Sequence, residues 1–182
     1  MFLRTERLFL RPAWIEDAPA ITRAIGHESV VRMLSRVPWP YHEEHAREWI
    51  ASLQDPSLPS LLITLPDDGG RIVGSCGLHE DEGQVEVGYW IEPGSWGRGY
   101  ATEALRGVVS LAQLSGHRRL VSRHAVDNPA SGRVLRKAGF RPTGRRLTVH
   151  SLGRNARLEA PEYALELGEV DGPQDAPMPK AA

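Results

Sequence analysis

The stretch Glu86-Val-Gly-Tyr-Trp-Ile-Glu-Pro-Gly-Ser-Trp-Gly-Arg-Gly-Tyr-Ala-Thr-Glu-Ala104 runs from an apolar strand through a glycine turn straight into a helix, and it constrains the fold more than any other part of the chain. Gly97 and Gly99 let the backbone take conformations closed to other residues and come close to a ligand. The first amides of the new helix have no partner within it, and they point at bound anions with the positive end of the helix dipole behind them. A strand, a turn and a helix in that order build a pyrophosphate cradle, so the chemistry expected here involves a phosphorylated cofactor.

The remaining chain is long enough to put a core around this cradle. Its 182 residues, 41% hydrophobic and 25% charged, fit one globular domain over residues 1–168. Residues 169–182, rich in Pro, Asp and Ala, lack the apolar content needed to order themselves and are expected to form a disordered tail. A formal net charge of -1 gives no global attraction to nucleic acid or to an anionic membrane. No apolar stretch approaches the roughly 20 residues of a membrane span, and Met1-Phe-Leu-Arg-Thr-Glu6 lacks the apolar segment of a signal peptide. One cysteine, Cys76, excludes an intramolecular disulfide and fits a reducing compartment. A cytoplasmic protein with small-molecule or protein substrates, and without nucleic acid or membrane as partner, is the expectation.

Pattern and punctuation give the element order. Leu8 to Arg11 alternates as a strand that Pro12 limits, and Asp17 can cap a helix carrying Ala20, Ile21, Ala24 and Ile25, with Gly26 as its C-terminal glycine. Ala46, Trp49, Ile50 and Leu53 form one apolar helix face. Strands over 60–65, 71–78 and 84–91 are joined by turns at Pro66 to Gly70 and Asp81 to Gly83, which predicts antiparallel hairpins. Ala101, Ala104, Leu105, Val108, Val109 and Ala112 mark an amphipathic helix ending near Gly116, and 120–126 reads as the next strand, so a parallel crossover follows. Asn128 and Pro129 open a further helix that Arg136, Lys137 and Gly139 close, and counting back from Val134, Leu135 and Ala138 turns Ser131 inward. Further strands are expected near 145–149 and 163–167.

Three pieces of the chain, Leu8 to Pro12 with the acidic helix start after it, Glu86 to Ala104, and Asn128 to Phe140, together resemble the GNAT superfamily of acetyl-coenzyme A dependent N-acetyltransferases, and within it the ribosomal-protein N-terminal acetyltransferases. The resemblance implies an α/β (α+β) fold with a mixed, partly splayed β-sheet flanked by helices, and acetyl-CoA as co-substrate. The family's loop usually reads Gln or Arg, two residues, Gly, one residue, then Gly or Ala; here Trp96, Gly97, Arg98, Gly99, Tyr100 and Ala101 stand there, so Trp96 departs from the polar first position. Backbone contacts survive that change, with amides from Gly97 to Thr102 facing the pyrophosphate and the Arg98 fork suited to phosphate oxygens. By resemblance, Trp90 and Ile91 pair with the pantetheine arm as an added strand would, and Asn128 bonds it. Asn128 is needed as an N-cap in any case, and Trp90 and Trp96 also read as core aromatics.

Acetyl transfer needs a neutral amine, support for the oxyanion and a proton for the departing thiolate. An amide near Trp90 or Ile91 is the candidate for the oxyanion, Ser131 for the proton donor and Glu86 for the base, directly or through water. Glu86 lies on the strand face opposite Val85, Val87 and Tyr89, which are expected to fill the core. His79, Glu80 and His124 are weaker substitutes. His42 and His45 stand three apart rather than four, which is wrong for a zinc-protease helix, so no metal is expected. The acceptor read from this is a primary amine, first a peptide or protein N-terminal α-amine. A small-molecule amine, or a non-catalytic acyl-CoA sensor, is the alternative. Arg32, Arg36, Trp39, Tyr41 and Arg154 would line the acceptor side, their charge reading equally as a carboxylate-binding surface or a solvated basic face. Monomer and homodimer both fit.

Overall fold

The computed structural model describes residues 1–168, so the tail expected over 169–182 lies outside the described residues. The strands are β1 (Leu3–Arg4), β2 (Phe9–Arg11), β3 (Ser60–Leu65), β4 (Arg71–Asp81), β5 (Gln84–Ile91), β6 (Arg119–Arg123), β7 (Arg141–Ser151) and β8 (Ala156–Glu166). They form one sheet in the order β1-β2-β3-β4-β5-β6-β8-β7. All neighbours run antiparallel except β5 and β6, which are parallel. The helices are α1 (Ala18–Ile25), α2 (Glu28–Val31), α3 (Glu43–Ser52), α4 (Tyr100–Leu114) and α5 (Pro129–Lys137).

The strand β3 is buried without interruption from Leu61 to Leu65 because both of its faces are covered. Leu61 and Ile63 join the core under α4 and α5, with Leu105, Val108, Leu120, Leu135 and Phe140. Leu62, pointing the other way, packs with Ala18 and Ile21 of α1, Ala46 of α3 and Ile72 of β4. The helices therefore clamp the sheet from two sides and leave its middle strands to carry a site.

Several sequence expectations are adjusted. Gly26 ends α1 at φ −68, not in the left-handed region, and it is needed because a Cβ there would stand 2.5 Å from the Thr22 carbonyl oxygen. Asp17 precedes α1 without capping it, because its carboxylate is taken by Arg11 at 2.7 and 2.8 Å and by the Trp14 amide at 2.8 Å. His45 is engaged at the start of α3, where its Nδ1 accepts from the His42 amide at 3.0 Å. The strand expected over 120–126 stops at Arg123, where the chain turns toward the helix start at Asn128 and Pro129. The last hairpin is longer than expected: β7 and β8 each have 11 residues, and a register shift between Pro142 and Arg146 around Gly144 hides the first part of β7 from a search for strict alternation.

The parallel contact positions the site. One registered pair joins β5 to β6, Glu86 with Val121. The Ser122 hydroxyl then donates to the Val87 carbonyl at 2.9 Å, and Gly88 to Ile91 continue with no β6 residue in register opposite them. The sheet is splayed there, and a cleft opens between the two strand ends.

Candidate active site

The cleft has a volume of about 960 Å³. Its wall includes Glu86, Trp90, Ile91, Trp96, Gly97, Gly99, Tyr100, Ala101, Thr102, Asn128 and Ser131, so elements far apart in sequence bring nearly all the expected residues together. Arg98 is the exception; its exposed side chain is not part of the wall.

At one end lies the glycine turn. Gly97 sits at φ +74 and Gly99 at φ +84, both in the region that favours glycine, and a Cβ at Gly97 would stand in open space. The earliest amide to bond within α4 is that of Glu103, to the Gly99 carbonyl at 3.1 Å. The amides of Tyr100, Ala101 and Thr102 precede it and have no intrahelical acceptor, and Gly99 offers no side-chain cap. Positive dihedrals, open space and free amides at a helix start fit a diphosphate. The Trp96 indole does not behave as the polar residue whose place it takes: its Nε1 donates to the Ile91 carbonyl at 2.6 Å, tying the turn back to the end of β5. Ser95 adds a bond to Glu92 at 2.8 Å, and Arg71 pairs with the same carboxylate.

In the middle are two hydroxyls. Asn128 caps α5 through the Ser131 amide, which fixes the first turn of that helix. The Ser131 Oγ then lies 2.7 Å from the Tyr89 hydroxyl, which also reaches the Ser131 carbonyl at 3.1 Å. The expectation for Tyr89 was half right: its ring packs on the core under α4 and α5, but its hydroxyl meets Ser131 in the cleft wall. Burial pushes the Tyr89 phenol well above the ordinary tyrosine range, against a smaller lowering by Ser131, so the phenol stays protonated.

At the far end Glu86 is mostly buried, with 13% of its side chain exposed, and Arg123 NH1 lies 3.2 Å from its Oε2. His79 Nε2 is 3.6 Å from the same oxygen. Arg123 is itself 8% exposed and also pairs with Asp81, whose carboxyl is held below the ordinary aspartate value by that bond. The Arg123 guanidinium and the His79 ring thus hold the Glu86 carboxylate in place in the cleft wall. Sequence reading gave Arg123 no role, and only its place at the end of a strand beside a predicted cleft could have drawn notice. The cations expected on the acceptor side are largely neutralised: Arg36 pairs with Asp81 at 2.9 Å, and Arg154 pairs with Asp127 at 2.8 Å. Cys76 is fully buried, and burial raises its thiol pKa, so it belongs to the core. Among the described residues, no group of three or more His, Cys, Asp or Glu side chains is arranged to hold a metal ion, and no helix is long and apolar enough to cross a membrane.

A strand-turn-helix cradle beside a splayed parallel pair, with a hydroxyl pair and a carboxylate in one cleft, fits an enzyme that holds a diphosphate-bearing co-substrate next to groups able to move a proton. Comparison with known proteins agrees. The family model for the GNAT acetyltransferase domain matches residues 7–141, and the chain belongs to that family, whose reaction is acetyl-CoA-dependent N-acetyl transfer. It is 26% identical over 152 residues, 78% of this chain and 83% of the other, to "Uncharacterized N-acetyltransferase p20" of Bacillus licheniformis. A shorter match, 38% identical over 57 residues and covering 31% of this chain and 32% of the other, is to the ribosomal-protein-serine acetyltransferase of Escherichia coli strain K12. The fold is shared with RimL, a ribosomal L7/L12 alpha-N-protein acetyltransferase solved in complex with coenzyme A, at a TM-score of 0.77 and 20% identity over 92% of this chain and 98% of that one.

Proposed function

We propose that this protein transfers the acetyl group of acetyl-CoA to the α-amine of a peptide or protein N-terminus, in the cytoplasm. The observation that carries the reading is the convergence of the open-amide turn, the Tyr89–Ser131 hydroxyl pair and Glu86 on one cleft. The match to the ribosomal-protein-serine acetyltransferase and the fold shared with RimL support the acceptor class. A buried single cysteine suits a reducing location.

Acetyl-CoA supplies an acetyl group activated as a thioester. The amides from Gly97 to Thr102 hold its diphosphate, with Arg98 at the rim. The Ile91 amide, on the edge of β5 that faces away from β4, meets the pantetheine arm and supports the carbonyl oxygen under attack, with Trp90 beside it in the cleft wall and Asn128 bordering the same channel. Glu86 takes the amine proton, and His79, one-third exposed beside it, passes that proton to solvent. Ser131 gives a proton to the departing sulfur and takes one back from solvent in the open cleft, and Tyr89 holds the serine hydroxyl for that task. An α-amine of pKa about 8 is partly neutral at pH 7 and asks little of the base, whereas a lysine amine is roughly two units more basic and is seldom neutral there.

Release of free thiol from acetyl-CoA, followed over a panel of free N-terminal peptides, N-terminally blocked lysine peptides, polyamines, aminoglycosides and amino acids, tests the reading. Turnover confined to free peptide N-termini is expected. Turnover confined to small amines would overturn the acceptor class, and coenzyme A binding without turnover on any amine would overturn transfer itself in favour of a sensor.

A further inference from the structure

The turn that carries the open amides is gripped from outside the cleft by residues near the N-terminus. Glu103, in the first turn of α4, accepts three hydrogen bonds, from the Thr5 hydroxyl at 2.6 Å and the Arg7 amide at 2.8 Å on Oε1 and from Arg7 Nε at 2.8 Å on Oε2, and Arg7 NH2 makes an ion-pair contact with the same Oε2 at 2.7 Å. The third nitrogen of the same guanidinium, NH1, donates to the Arg98 carbonyl at 2.9 Å. The guanidinium carbon lies 5.1 Å from the centre of the Tyr100 ring, and a Cβ on Gly99 would come within 3.3 Å of NH2. One side chain thus engages residues 98, 100 and 103 and lies over Gly99 between them.

From this we infer that Arg7 is the positioning residue for the diphosphate turn, with Glu103 as its anchor; the inference rests on the acetyl-CoA reading above. A trans peptide unit points its C=O and N–H in opposite directions. Holding the Arg98 carbonyl toward Arg7 therefore fixes the Gly99 N–H away from it, and Arg7 does not line the cleft while Gly99 does. Left-handed glycines on both sides of Arg98 would otherwise let this peptide unit rotate freely. An exposed ion pair alone contributes little, but here both carboxylate oxygens are engaged, backbone groups share the network, and the anchor carboxylate is 14% exposed. Arg7 acts through the peptide that it holds and touches no substrate atom.

The test compares coenzyme A with a truncated thioester. Wild type, Arg7→Ala, Arg7→Lys and Glu103→Gln are measured for coenzyme A affinity by calorimetry, and for turnover of acetyl-CoA and of S-acetylpantetheine, which lacks the diphosphate. Arg7→Ala is expected to weaken coenzyme A binding about tenfold or more, the scale of a lost charge-assisted hydrogen bond, and to raise the KM for acetyl-CoA to match, with kcat held. Turnover of S-acetylpantetheine should stay within about twofold of wild type, since nothing in it uses the turn. A lysine ammonium cannot serve Glu103 and the Arg98 carbonyl with one planar fork, so Arg7→Lys should recover only part of the loss. Equal losses for both thioesters, or unchanged coenzyme A affinity in a folded Arg7→Ala, would overturn the inference. Should Arg7→Ala fail to fold, Glu103→Gln keeps the shape of the anchor and must show the same selective loss. A protein that acetylates no amine but whose variants lose coenzyme A affinity as stated would sink the transferase reading and leave the clamp standing.

Discussion

Removing the two hydroxyls in the cleft, separately and together, tests how the leaving thiolate obtains its proton. Ser131 Oγ and the Tyr89 hydroxyl are 2.7 Å apart, within the range of a strong O–H···O bond. When the phenol donates to Ser131 Oγ, the serine proton is free to turn into the cleft; without it, the serine can waste that proton on nearby carbonyls. Ser131→Ala deletes the donor and should lower kcat about a hundredfold, the lower range for loss of a general acid. Tyr89→Phe leaves the ring packed and deletes one neutral hydrogen bond of about 1 kcal/mol, so kcat should fall roughly fivefold. Because Tyr89 acts through Ser131, the double variant should match Ser131→Ala within about twofold, a coupling close to the whole Tyr89 effect. Burial keeps the phenol pKa far above the assay range, so the ratio of wild-type to Tyr89→Phe rates should be flat between pH 6 and 9. Stopped-flow thiol release gives kcat, and calorimetry with coenzyme A checks that binding is unchanged. Multiplying effects in the double variant, or a rate ratio that titrates in this window, would refute the relay.

Two further expectations follow from the turn. Gly99→Val places a β-branched side chain at φ +84 and against the Arg7 guanidinium, a conformational cost above the 1–2 kcal/mol typical of a non-glycine residue there, so coenzyme A affinity should fall more than tenfold, while wild-type affinity in calorimetry would show that the diphosphate lies elsewhere. Glu103 titrates with the fold: burial raises its carboxyl pKa, but the bonds from Thr5 and Arg7 outweigh that and hold it below the ordinary glutamate value. A folded-state pKa below the unfolded one gives stability that is complete above the unfolded value of about 4.3 and is lost as pH falls through the folded pKa. The difference in melting temperature between wild type and Glu103→Gln should therefore be constant from pH 7 to about 5 and shrink below about 4; a difference that grows on acidification would contradict the network.

What could be read from the chain divides along the range of the interactions involved. Hairpins β3–β4 and β4–β5 and helices α4 and α5 were legible because their causes are local: glycine at positive φ in the turns, an Asn-Pro start, an apolar stripe at helical spacing. The same locality made the cleft legible in outline, since Gly97, Gly99 and Ser131 are set by the elements that hold them. The two-residue β1 has no signal of its own and exists because Leu3 pairs with Leu10 and packs over Gly107, where a Cβ would be 2.5 Å from its Cδ2. That docking carries Thr5 and Arg7 to Glu103, almost a hundred residues away, and no spacing rule connects them. Tyr89 fails for a related reason: alternation gives the face on which a side chain lies, but not where along that face the strands part. A ring that is core at its base and cleft at its tip cannot be assigned from period alone. Arg123 is the same case from the other strand, since a charged residue ending β6 reads as solvated until Glu86, Asp81 and the buried Glu162 are placed around it. The parts of the site that escaped the sequence are thus the ones made by assembling distant strands into the sheet, and they are the parts that orient the groups the sequence did reveal.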